Sequence, residues 1–185
     1  MVDSPEAVAH HEAGHAVAIV LAFRRAPWLP RSPPTLPVRY CEIGANGTGT
    51  TAAKNIYCPT WPIDVLVPRY RPLMEAQVCI YLAGGVAEAI HRCGPRSGRE
   101  LWSVAEACCA VDGDLQRVAD VFGDLRRLTG YDLYPQHFAD RTAEMLLTHW
   151  CAVEALAVAL VDERRIEGRR VEEIVVEAMR ALMAQ

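Results

Sequence analysis

His11-Glu12-Ala13-Gly14-His15 is the segment of this sequence whose residue types and spacing point to chemistry. Residues four apart share one face of an α-helix, so the two imidazoles can converge on one cation while Glu12 lies beside them without coordinating. Neutral imidazole suits zinc. A zinc ion there would lower the pKa of a bound water toward neutrality and polarise a scissile carbonyl, with Glu12 taking the water's proton and delivering it to the departing amine. A catalytic zinc normally has three protein ligands, and the motif supplies two. The residues that follow, Ala16-Val17-Ala18-Ile19-Val20-Leu21, are all apolar. The third ligand must therefore come from a separate element, and spacing leaves Glu88, His91, Asp112 and Asp114 as candidates. The plain alternative is that both histidines are surface residues of an amphipathic helix.

The motif needs a helix beneath it, and the local sequence provides one. Ser4 can cap a helix whose first turn holds Pro5 and Glu6, and apolar positions run on to about Phe23. Gly14 inside that helix costs about 1 kcal/mol relative to alanine, which a tight approach by another segment would explain. Prolines 27, 30, 33, 34 and 37 then forbid helix and favour an extended connection. Val38 to Ile43 alternates apolar with polar residues, as a strand with one buried face does. Gly44 to Gly49 is glycine-rich but has no following lysine to complete a phosphate cradle, so it reads as a turn. From Pro72 to Ile90 the pattern predicts a buried apolar helix, broken only by Gly84-Gly85. Three more helices are expected near Asp112 to Leu128, Gln136 to Val161 and Val171 to Met183. The expected fold class is mainly α with one small β element, and residues 1–185 form one domain.

Composition narrows the partners. Lys+Arg 19 against Asp+Glu 23 gives a formal charge of −4, with no basic excess for nucleic acid or an anionic membrane. The longest uninterrupted apolar run, Val78 to Ala87, falls short of the roughly 18 residues a membrane span requires, and the first residues lack a signal peptide's basic start. A cytoplasmic location is expected. Seven cysteines, scattered without a C-x-x-C pair, read as reduced and mostly buried thiols.

The motif also belongs to a wider pattern. His11-Glu12-Ala13-Gly14-His15-Ala16-Val17 resembles the zinc motif of the peptidase domain of FtsH-type ATP-dependent zinc metalloproteases. Tyr81-Leu82-Ala83-Gly84-Gly85-Val86-Ala87-Glu88 is similar to that family's leucine–glycine–glycine helix. Ala110 to Ala119 resembles its small-residue turn and following helix, with Gly113 where the family has asparagine. Ala155 to Glu163, with Ile166-Glu167-Gly168 and Val171 to Ile174, is similar to its C-terminal helix, turn and helix.

The resemblance implies a zinc-dependent metalloendopeptidase with His11, His15 and Asp114 as ligands and Glu12 as general base and acid. It makes Glu88 a supporting carboxylate, of the kind to which a ligand histidine donates its other N–H. It places the small β element near the active site, where a short strand accepts the substrate backbone as an added strand. The family carries a membrane segment and an ATPase module ahead of its peptidase. Here the zinc helix follows Met1 directly and no phosphate-binding loop occurs, so the expectation is a stand-alone peptidase acting on peptides or unfolded chains. A separate ATPase chain as partner, a homo-oligomer, or a catalytically silent zinc-binding interaction module are the alternatives.

Overall fold

The computed structural model describes residues 4–25, 37–53, 67–95, 98–111, 113–130 and 134–184. Helix α1 (Pro5–Arg25) is the centre of the molecule. The Ala7 N–H donates to Ser4 Oγ at 3.2 Å, supplying the expected cap. Every residue from 11 to 21 is buried. A helix covered on all sides is a core helix rather than an amphipathic surface one, so the two histidines and Glu12 lie inside the protein.

After α1 come a hairpin of β1 (Val38–Ile43) and β2 (Gly49–Ala53), then α2 (Val67–Cys93), α3 (Gly98–Val111), α4 (Asp114–Thr129), α5 (Pro135–Thr148), α6 (Trp150–Glu163), β3 (Arg165–Glu167) and α7 (Gly168–Met183); α2, α6 and the hairpin pack on α1, and α3 and α4 pack on α2. The fold is mainly α with a small antiparallel sheet of order β2-β1-β3. Cys41 pairs with Thr51 on one side and Ile166 on the other. An irregularity between Val38 and Tyr40 shifts the inward alternation by one residue, so that Val38, Cys41 and Ile43 all face the core. The turn from Gly44 to Gly49 forms as expected, with the Gly44 N–H donating to the Thr48 carbonyl at 2.8 Å.

Three sequence expectations need correction. Helix α2 begins before Pro72 and passes through Gly84-Gly85 without a break, because both glycines are contact positions inside a packed helix rather than stops. Helix α3 was not expected. The single helix expected from Gln136 to Val161 is two, bent by 80° at His149. Thr148 Oγ donates to the Glu144 carbonyl and His149 Nδ1 to the Met145 carbonyl, so side chains cap the last turn of α5 without glycine or proline. Residues 71–93 of α2 are long and apolar enough to cross a membrane by length and composition alone, and 83% of the most apolar window is buried within the fold. The expected proline-rich connection lies largely outside the described residues, as does Cys58. The six described cysteines are free thiols.

Candidate metal centre

Two glycines bring α2 against the motif. A Cβ on Gly14 would lie 2.6 Å from the Ala87 Cβ and collide with the Ala83 carbonyl, so α1 and α2 touch backbone to backbone there. That crossing accounts for glycine within α1. One position along α2, a Cβ on Gly84 would sit 2.5 Å from His11 Nε2 and against His15 Nε2. The α2 backbone is therefore the floor beneath both rings.

The outward nitrogens set the tautomers. His15 Nδ1 lies 2.7 Å from the Ile80 carbonyl oxygen, which can only accept, so this nitrogen donates. His11 Nδ1 donates to Glu88 Oε2 at 2.9 Å, and Glu88 Oε1 is held in turn by Arg92 at 2.5 Å. In the neutral rings both Nε2 atoms then carry lone pairs, and they face one another at 3.2 Å. Asp114, the first residue of α4, brings its Oδ2 to 2.9 Å from His15 Nε2 and 3.5 Å from His11 Nε2. Asp114 Oδ2 is buried with no hydrogen bond of acceptable geometry. Three buried acceptor atoms thus converge, and a shared cation satisfies all of them.

The separations suit one ion. Bonds of about 2.0–2.1 Å in a tetrahedral site place ligand atoms about 3.3 Å apart, close to the 2.9–3.5 Å found here. The cluster of His11, His15 and Asp114 can hold a metal ion. Burial by itself pushes the Asp114 carboxyl up, but a proton on His15 or His11 beside it outweighs that and holds it well below the usual carboxylate range, and with both rings neutral a shared cation would supply the same positive charge. Arg117 Nη1 holds the other oxygen, Oδ1, at 3.1 Å, which leaves Oδ2 to point at the histidines.

A cavity of about 320 Å³ opens over these atoms, lined also by Ile19, Gln77, Tyr81 and Arg117 and on one side by β2. Glu12 is buried at its edge. The Thr51 hydroxyl lies 2.6 Å from Glu12 Oε2 and 3.1 Å from the Glu12 carbonyl, and a Cβ on Gly49 would come within 2.7 Å of the Glu12 carboxylate carbon.

Of the four candidates for the third position, Asp114 alone among the described residues joins the two histidines. Glu88 reaches the far side of the His11 ring instead. His91 is exposed and stacks on His10, with ring centroids 3.7 Å apart and planes inclined by 17°. Asp112 lies outside the described residues. The surface reading of the motif fails, since His11 and His15 are only 2% and 9% exposed. Sequence reasoning missed Gly84, Gly49, Thr51 and Arg117. Only Gly84 carried a signal, because two adjacent glycines in an apolar helix are costly unless something approaches closely. No family model matches the chain, and a search of curated proteins finds no match.

Proposed function

We propose that this chain is a zinc-dependent metalloendopeptidase of the FtsH peptidase type, acting on flexible or unfolded polypeptides. The observation that carries the proposal is the buried convergence of His11 Nε2, His15 Nε2 and Asp114 Oδ2 beside an uncoordinated Glu12. Two nitrogens and one carboxylate oxygen form a donor set that zinc accepts while keeping a position open to water. When bound, zinc would make its water acidic and polarise the scissile carbonyl. Glu12 would be the residue that takes the proton from that water and passes it to the leaving amine. Glu88 and the Ile80 carbonyl fix the imidazoles by holding their Nδ1 protons.

The strand side supports a peptide substrate. Among the described residues β2 is a sheet edge, and its Gly49, Thr50, Thr51 and Ala53 line the cavity, so an extended chain can pair with it while crossing the site. The family resemblance is compatible with this geometry where the sequence departs from the pattern. Gly113 has φ 77°, in the left-handed region that asparagine also tolerates.

The test is hydrolysis of an unstructured fluorogenic peptide by wild-type and Glu12→Gln protein, with zinc content measured in both. Glu12→Gln should lose about 10²- to 10⁴-fold in kcat with its zinc retained. Full activity in the variant would refute the role of the base. A wild type that holds zinc and cleaves nothing would instead point to an interaction module.

A further inference from the structure

A general base must sit within hydrogen-bond reach of the proton it removes, and a glutamate has three side-chain torsions to settle before it can. The histidines and Asp114 are held from several sides by α2 and Arg117. Glu12 projects instead toward the hairpin, and two residues of β2 meet it. The Thr51 hydroxyl has one proton and two nearby acceptors of Glu12. The carboxylate oxygen at 2.6 Å takes it in preference to the carbonyl at 3.1 Å, because a charged acceptor makes the shorter and stronger bond.

Cys41, paired with Thr51 across the sheet, lies with its Sγ 3.5 Å from the same hydroxyl. With Thr51's proton committed to Glu12, the thiol is the donor in that contact. Burial pushes the Cys41 thiol up to about 12, so it stays protonated and able to donate. The result is a polar chain from Cys41 through Thr51 to Glu12, running from the middle strand of the sheet to the base. Gly49 closes the other side. Its backbone lies flat against the Glu12 side chain, where a Cβ would come 2.5 Å from Cγ and 2.7 Å from Cδ.

The geometry points to Thr51 as a positioning residue for Glu12, with Gly49 as the surface against which the carboxylate is set. This rests on the peptidase reading, in which Glu12 is the base. The strand that would receive the substrate and the strand that aims the base are one and the same, so metal binding and proton transfer are held by different parts of the fold.

The experiment compares zinc-loaded wild type, Thr51→Val, Thr51→Ser and Gly49→Ala. It reads kcat and KM on an unstructured peptide, zinc affinity by competition with a chelating dye, and the dissociation constant of acetohydroxamate. The last is a small zinc ligand whose bound form shares a proton with a neighbouring carboxylate. Thr51→Val should lower kcat by about 10- to 100-fold with KM and zinc affinity within about twofold of wild type. Thr51→Ser, which keeps the hydroxyl, should recover most of that loss. Gly49→Ala should lower kcat without loss of zinc. Wild-type kcat in Thr51→Val, failure of serine to restore it, or a parallel loss of zinc affinity would each overturn the assignment. If the wild type cleaves no peptide, the peptidase reading fails by itself, and acetohydroxamate still decides. Weaker binding to Thr51→Val but not Thr51→Ser supports the positioning role, and equal binding to both overturns it.

Discussion

His11, His15 and Asp114 stand on two helices packed in the core, with a third helix behind them, whereas Gly49 and Thr51 stand on an edge strand that is only partly buried. On the helical side each ligand has a partner of its own. His11 has Glu88 behind it, His15 has the Ile80 carbonyl, Asp114 has Arg117, and the Gly84 backbone runs beneath both rings. On the strand side the described contacts rest on one hydroxyl and one missing Cβ. Affinity for the ion and orientation of the base are therefore separable: damage to the helices should remove the metal, and damage to the strand should leave it in place.

The largest effect should come from the helical side. Asp114→Ala removes the carboxylate oxygen shared by both histidines and should weaken zinc binding by at least about 100-fold, beyond what loss of a supporting partner causes. A chelator competition titration measures it. Unchanged affinity would show that the ligand set is wrong.

Gly84→Ala perturbs the helical side without changing any ligand chemically. The new methyl would press on His11 and His15 at their metal-facing nitrogens. Zinc affinity should fall by about 10- to 100-fold. Alanine is the better helix former by about 1 kcal/mol, so helix content by circular dichroism should not fall. Loss of both together would mean that the glycine serves packing alone.

The smallest effect lies where α6 meets the sheet. Arg164 adopts φ 63°, a left-handed conformation rare for a residue with a side chain, because it must turn the chain from α6 into β3. Its carbonyl accepts from the Ile43 N–H at 2.8 Å, tying that turn to β1. Arg164→Gly should stabilise the fold by about 0.5–1 kcal/mol, read as a higher Tm, with zinc affinity unchanged.

Much of the helical side was legible in the sequence because its signals are local. The i,i+4 histidines and the Ser4 cap are short-range patterns, and Gly14 announced a close crossing through its cost. Asp114 was not legible in that way. It lies 99 residues beyond His15, and spacing left it level with three other candidates until the resemblance singled it out. The strand side was less legible still, since the contact between Thr51 and Glu12 exists only once the hairpin has folded onto α1. The bend at His149 escaped because side-chain bonds to carbonyls make it, without glycine or proline. Helix α3 escaped because it starts at Gly98, soon after α2 ends at Cys93, and Gly94, Pro95 and Gly98 are local signals of a turn rather than of a helix start.

The proposed site shares one ion between two imidazoles and a carboxylate carried by α1 and α4. An X-ray absorption spectrum of the zinc-loaded chain, taken with its metal content, tests it most directly. The expected result is one zinc per chain, bound by two histidine nitrogens and light oxygen donors with no sulfur. Sulfur in the coordination shell, or purified protein that takes up no stoichiometric transition metal, would contradict it.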